Sequence, residues 1–355
     1  MNKIMFYINA IHDGGAERVM VNLAKYFSDN DYDTILVTSF RDKWEYPLAS
    51  KVRRISLEDT EIQQSRIKRN VSRINKLRTL CKAEKPDILV SFMEEPNFRA
   101  ILATTGLPVK TLVSVRNDPN KEYAGKMGLI VGKILLPMAD GCVFQTSDAQ
   151  RWFPVKLQKK SKIIYNAVKE DFYYVERKPV RGEIVTCGRL TEQKNHAMLI
   201  DAFARVKKKY PFVTLKIYGE GDLRKELQKQ IFDLNLDDNV FLMGATNNVE
   251  RVLETADLFV LSSDYEGMPN ALMEAMAVGV PCISTDCPCG GPRDLLGDNS
   301  TNKLVQCGNV NQMADSICNY FENKEDGAKE KKMSLSFKPE KINRMWENFV
   351  LEIIG

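Results

Sequence analysis

The chain has 355 residues, with 51 Lys and Arg against 47 Asp and Glu, a formal net charge of +4. That length admits one large or two medium domains with adequate cores, and so small a net charge gives no ground for nucleic-acid binding. Eight cysteines without a Cys-x-x-Cys pair, and only two histidines, read as reduced, mostly buried thiols rather than as zinc ligands or a disulfide framework.

The N-terminal apolar run over residues 1–8 ends at Asn9 and His12, which predicts a strand and not a signal peptide. No window approaches the roughly 18 apolar residues of a spanning helix, and a cytoplasmic location is expected. Short β-rich runs then alternate with helical segments. In the first half they are Ile4–Ile8, Thr34–Thr38, Ile88–Phe92, Thr111–Val115, Gly141–Gln145 and Lys162–Tyr165. In the second they are Glu183–Cys187, Thr214–Tyr218, Val240–Met243, Leu258–Leu261, Pro281–Ser284 and Lys303–Val305. This alternation predicts α/β architecture with two parallel sheets flanked by helices. The expected division is a first domain over 1–168, a linker over 169–182, a second domain over 183–335 and a terminal helix over 336–355. Trp346, Phe349 and Val350 mark that helix's apolar side.

One helix in the first half stands out for charge. From Ser65 to Lys82, Ile67, Val71, Ile74, Leu77 and Cys81 recur at helical spacing, among Arg66, Lys68, Arg69, Arg73, Lys76, Arg78 and Lys82 and no acid. The pattern predicts one side packed on a sheet and a cationic side outward, suited to an anionic bilayer or a lipid diphosphate. A solvated surface face is the alternative.

Three segments carry candidate chemistry. Gly14-Gly15 opens a helix after the first strand, where residues without Cβ let the backbone approach a phosphate. A dinucleotide fingerprint is disfavoured, because the loop reads Gly14-Gly15-Ala16 and the second strand ends in Thr38-Ser39-Phe40-Arg41, without an acid at its end. After the strand ending at Cys187, Arg189 and Lys194 can reach one diphosphate. Finally, Glu266 and Glu274 stand eight apart around Gly267-Met268-Pro269-Asn270-Ala271, where the free N–H groups and dipole of a helix start favour an anion. A carboxylate there can accept two bonds from a sugar diol.

The Glu266 to Glu274 stretch resembles the Glu-x7-Glu signature of retaining glycosyltransferases of family 4, which have the GT-B fold. Asp13-Gly14-Gly15-Ala16-Glu17-Arg18-Val19 and Gly188-Arg189-Leu190-Thr191-Glu192-Gln193-Lys194-Asn195 match in the expected order, as do Tyr218–Asp222 and Phe241–Gly244. The resemblance implies two Rossmann-like domains facing across a cleft, the first binding acceptor and the second the nucleotide sugar, with the terminal helix crossing back to the first. It implies that Glu266 holds the donor sugar and Glu274 the ribose, with Arg189 and Lys194 on the leaving diphosphate. Gly14, Gly15, Arg18, Gly188 and residues 267–271 complete the donor site. Transfer is then expected with retention, without an essential metal or other cofactor, the basic pair Arg189 and Lys194 taking the metal's place on the diphosphate.

Many relatives carry a histidine after the fourth strand of the first domain, where this chain has Ser114-Val115-Arg116-Asn117-Asp118-Pro119. Arg116, Asn117 and His12 are therefore acceptor candidates, with a structural Asp-Pro turn as the equal reading. The run Asp286–Asp294 resembles a stretch of bacterial hexose and N-acetylhexosamine transferases. It points to a UDP-sugar donor, a lipid-linked glycan acceptor and a peripheral place on the inner membrane face. Rival readings are a nucleotide-sugar epimerase of the same fold and a non-catalytic glycan-binding subunit.

Overall fold

The computed structural model describes residues 2–12, 14–61, 63, 65–297 and 303–355; Asp13, which heads the first motif, lies outside them. The chain forms two compact units, Met1–Ala167 with Glu340–Gly355, and Val168–Pro339.

The first unit is a seven-stranded sheet of β1 (Lys3–Ile8), β2 (Asp33–Thr38), β3 (Arg53–Ser56), β4 (Ile88–Phe92), β5 (Lys110–Ser114), β6 (Gly141–Phe144) and β7 (Ser161–Ile163). Its order is β3-β2-β1-β4-β5-β6-β7, with parallel pairings. Strands covered on both faces read as unbroken apolar runs, and β1 shows why. Ile4, Phe6 and Ile8 enter one core cluster while Met5 and Tyr7 enter another on the opposite face. The helix Pro339–Ile354 closes the first of these clusters with Ile342, Trp346, Phe349 and Val350. Trp346 lies 5.5 Å from the Phe92 ring, and the hydroxyls of Tyr26 and Tyr32 donate to Glu347 at 2.8 and 2.9 Å.

The basic helix spans Arg66–Glu84, and its faces differ from expectation. Ile74, Leu77 and Cys81 do pack on the sheet, whereas Ile67 and Val71 are exposed. Arg73 is buried and donates to Glu58 at 2.7 Å, with Lys76 on the same carboxylate. Arg66 bonds Glu95 at 3.0 Å, Arg69 lies 3.7 Å from Glu61, and Arg78 donates to the carbonyls of Ala103 and Thr105. Among the described residues only Lys68 and Lys82 of the seven make no ion pair or hydrogen bond through the side chain. A buried guanidinium must be paired, and its partner sits 15 positions upstream of Arg73, outside the helix pattern. Four of the seven cations are therefore tied to carboxylates, and Lys68, Arg78 and Lys82 are not.

The second unit is a six-stranded parallel sheet of β8 (Glu183–Cys187), β9 (Thr214–Tyr218), β10 (Val240–Gly244), β11 (Leu258–Leu261), β12 (Cys282–Thr285) and β13 (Leu304–Val305), in the order β10-β9-β8-β11-β12-β13. Residues 169–182, expected as a linker, are bonded along this unit. Tyr173 Oη donates to Ser334 O at 2.8 Å, and the N–H groups of Lys178 and Val180 donate to the carbonyls of Glu254 and Thr255. All eight cysteines are free, five of them buried. Among the described residues no helix is long and apolar enough to cross a membrane.

Candidate active site

Strand order reverses between β8 and β11, because β8 leads to β9 on one side and β11 to β12 on the other. The crevice beyond the carboxyl ends at such a point is where open α/β sheets bind ligands. The two loops leaving that edge are Gly188–Asn195 and Ser262–Pro269, and they are bonded together. Asp264 N–H donates to Gln193 O at 2.9 Å, Gln193 Nε2 to Tyr265 O at 3.0 Å, and Ser262 Oγ to Lys194 O at 2.8 Å. Asn195, in a left-handed conformation at φ 42°, caps the His196–Lys209 helix and donates to Asp264 at 2.9 Å.

This clamp brings two of the predicted residues into contact. Lys194 Nζ pairs with Glu266 Oε1, which also accepts from Ser263 Oγ at 2.7 Å. Glu266 and Glu274 are both buried. Glu274 rises from the Asn270–Val278 helix, whose start follows the buried Gly267-Met268-Pro269 turn, while Asn270 and Ala271 are half-buried. That turn is packed on backbone: a Cβ on Gly291 would fall 2.0 Å from Gly267 O. Arg189 is exposed, and its guanidinium makes no ion pair or hydrogen bond among the described residues. Gly188 stands beside the Lys194 side chain, and a Cβ on Gly219 would fall 1.9 Å from Gly188 O. His196 is buried under this loop, neither ring nitrogen has a hydrogen-bond partner among the described residues, and burial pushes its imidazolium down to about 4.

In the first unit the order reverses between β1 and β4, and a second polar cluster lies at that edge. Gly14 N–H donates to His12 O at 2.6 Å, and His12 is exposed. The helix begins at Gly15, with Arg18 N–H on Gly14 O at 3.1 Å. A Cβ on Gly14 would fall 1.7 Å from the Glu17 carboxylate, an acid placed where the helix dipole favours it. Arg116, after β5, is buried over the Phe92 ring at 4.7 Å and donates to Asn166 Oδ1, which also accepts from Gln145 Nε2 at 2.8 Å. Burial pushes the guanidinium down to about 9, opposed by the charges of Glu122 and Glu17. Glu122 accepts the Glu94 N–H at 2.8 Å, yet burial pushes its carboxyl up to about 8. Asn117 accepts the Asp118 N–H at 2.9 Å, and Asp118 caps the short helix Pro119–Glu122.

Ser263, Glu122, Gln145 and Asn166 were not singled out in the sequence. Ser263 had a signal in its position three before Glu266, and Glu122 followed the Arg116 motif. Gln145 and Asn166 end strands with no motif and had none.

A family model described as Glycosyltransferase Family 4 matches residues 13–172, and one described as Glycosyl transferases group 1 matches residues 175–335. The chain is a glycosyltransferase of the family 4 type. This glycosyltransferase is similar to an uncharacterized glycosyltransferase of Methanocaldococcus jannaschii, with 31% identity over 251 residues, covering 64% of this chain and 62% of that one. It is 28% identical over 336 residues to the N-acetylgalactosamine-N,N'-diacetylbacillosaminyl-diphospho-undecaprenol 4-alpha-N-acetylgalactosaminyltransferase of Campylobacter jejuni, covering 89% of each. The structure of Anabaena HepE in complex with UDP and glucose superposes with a TM-score of 0.82 at 19% identity, over 99% of this chain and 100% of that one. That likeness agrees with the two Rossmann-like units of a GT-B fold.

Proposed function

We propose that this glycosyltransferase moves a hexose or N-acetylhexosamine from a UDP-sugar, with retention, to a lipid-linked glycan at the inner face of the cell membrane. The Lys194–Glu266 pair, clamped between the two loops at the reversal point of the second sheet, carries the reading. In it, Glu266 holds donor hydroxyls, Glu274 the ribose, and the start of the Asn270–Val278 helix the diphosphate. Arg189 and Lys194 stabilise charge growing on the departing phosphate. That phosphate takes the acceptor's proton as the acceptor attacks from the same face.

The acceptor side is proposed for the first unit, with Arg116 orienting an anionic group, while Gly14, Gly15 and Arg18 of the same unit offer backbone and charge to the donor's phosphate. The undecaprenol-linked name of the Campylobacter relative supports a lipid-linked acceptor. Because the two cations serve the leaving group, EDTA should leave most transfer in place; complete inhibition rescued by magnesium would refute the metal-free assignment. The decisive experiment is a panel of nucleotide sugars screened for slow hydrolysis by released nucleotide. Release from UDP-hexoses or UDP-N-acetylhexosamines is expected, and an epimerised product without transfer would favour the epimerase reading instead.

A further inference from the structure

The β5 to β6 crossover presents an amphipathic helical run turned the opposite way from a core helix. Residues 125–138 form a continuous α, π and 3-10 helical stretch. Its inward side carries glycine: a Cβ on Gly128 would fall 2.4 Å from the Tyr123 backbone, and one on Gly132 would fall 2.7 Å from the Trp152 ring. Its outward side carries Met127, Ile130, Ile134 and Met138, three or four positions apart, with Met127 72% and Ile134 65% exposed. Contiguous exposed apolar residues of this kind mark an interaction surface. The run is firmly seated. Lys133 Nζ bonds Trp152 O and lies 3.6 Å from the centre of the Trp152 ring, and Lys160 Nζ donates to Pro137 O at 2.8 Å.

Charge selects the partner. No Asp or Glu occurs from Tyr123 to Ala139, while Lys126 and Lys133 are exposed on the run. The neighbouring Val155–Gln158 turn adds exposed Val155 and Lys156, followed by exposed Lys159. A second copy docked through the same face would set these lysines against themselves. An apolar strip among cations fits the boundary of an anionic bilayer, where apolar side chains enter the acyl region and lysines meet phosphates.

We propose that residues 125–138 are an element by which this enzyme docks on anionic membrane. The proposal deepens the lipid-linked acceptor reading and rests on it for its purpose. The run continues directly from Arg116–Glu122, so docking would hold the proposed acceptor cluster near the surface where a lipid-linked glycan resides.

The test uses the full chain and sedimentation with vesicles of phosphatidylcholine alone or mixed with phosphatidylglycerol. The native chain should prefer the anionic vesicles, less so at high salt. The double variant Ile130→Asp/Ile134→Asp should bind them about tenfold or more weakly, with unchanged UDP affinity and unfolding midpoint. Ile134→Trp, read by brominated-lipid quenching, reports insertion without removing the apolar face; quenching is expected. Equal vesicle binding by native and Asp-substituted chains, or no quenching, overturns the proposal. So does a concentration-dependent dimer that the Asp substitutions abolish while vesicle binding is absent. Vesicle binding that depends on the run, without use of any lipid-linked acceptor, would instead refute the acceptor reading and leave the docking element standing.

Discussion

The two units place a polar cluster at the same point of the same plan, the reversal of strand order, but they treat charge there in opposite ways. In the second, the Lys194 ammonium touches the Glu266 carboxylate, and Ser263 satisfies the same oxygen. In the first, the direct acceptor of buried Arg116 is the neutral amide of Asn166, and the carboxyl that could balance it, Glu122, is held protonated near neutral pH. A paired site is preorganised and needs little rearrangement when charge develops on a ligand. A buried cation with no carboxylate bonded to it, offset only by the charge of Glu17 and by a Glu122 that is largely protonated, instead favours an incoming anion. On the proposed reading, the difference suits the second unit to chemistry on a leaving group and the first to capture of a negatively charged partner.

The comparison breaks most sharply at Arg189 and Lys194. Removing a preorganised electrostatic donor typically costs about 10²–10³ in turnover, and Arg189→Ala and Lys194→Ala should each fall in that range at saturating donor. Because they serve one leaving group, the double variant should be little worse than either single one. Glu266→Ala should also reduce turnover strongly while changing UDP affinity, read by calorimetry, much less. Near-normal turnover in both cation variants would reduce the pair to surface charge.

His196 tests how firmly the second site is held. Its pKa, down to about 4 from an ordinary 6.5, means that the unfolded chain binds the proton more readily. Stability from the neutral form is intact above about pH 6.5 and is lost as pH falls toward 4. A shift of about 2.5 units corresponds to about 3 kcal/mol. In urea titrations between pH 7 and 4.5, His196→Asn should lose that part of the acid sensitivity. Parallel wild-type and variant curves would show that the imidazole is not buried as described.

On the acceptor side, Arg116→Met should raise the acceptor KM with a smaller effect on donor hydrolysis. A hydrogen bond to a charged group contributes about 1.5–3 kcal/mol, hence roughly a ten- to hundredfold loss in kcat/KM for acceptor. An equal loss in acceptor-free hydrolysis would move Arg116 out of the acceptor role.

The sequence reading and the structure agree where a signal is local. All twelve expected strands appear within a few residues, because buried parallel strands are short apolar runs between turns. β3 was missed: Arg53-Arg54-Ile55-Ser56 is an edge strand whose arginines pair with Glu84 and Glu45, and charge is how edges are protected. Lys194 and Glu266 were legible as motifs, but their direct contact was not, since 72 residues separate them. In the helix Arg66–Glu84 the burial and pairing of Arg73 were hidden for the same reason, its partner Glu58 lying outside the pattern. The run 125–138 went unread because its glycines face inward, the reverse of the usual core pattern.

The smallest effect, and the one that sharpens the comparison furthest, concerns Glu122. Its carboxyl titrates near 8 because burial disfavours the charged form, with the charge on Glu94 adding to burial and Arg116 and two backbone N–H groups opposing it. Raised above its ordinary 4.5, the protonated form stabilises the folded chain most fully below that value, and this contribution is lost as pH rises through about 8. Ionisation would also set a negative charge near Arg116 and weaken its pull on an anion. Acceptor KM should therefore rise a few-fold, at most about tenfold, between pH 7 and 9. Glu122→Gln mimics the protonated group and keeps an oxygen for the Glu94 N–H, so it should match wild type at pH 7 and lose the part of the alkaline rise that precedes loss of charge at Arg116 itself, whose guanidinium is pushed down to about 9. Tyr123 and Cys142, whose hydroxyl and thiol burial raises well above their ordinary values, stay neutral through this window and cannot produce the rise. Glu94 and Glu17 face the same cluster, and the variant separates Glu122 from both. If Glu122→Gln keeps the wild-type slope, the first unit's charge is balanced by another group, and its contrast with the second unit loses its physical basis.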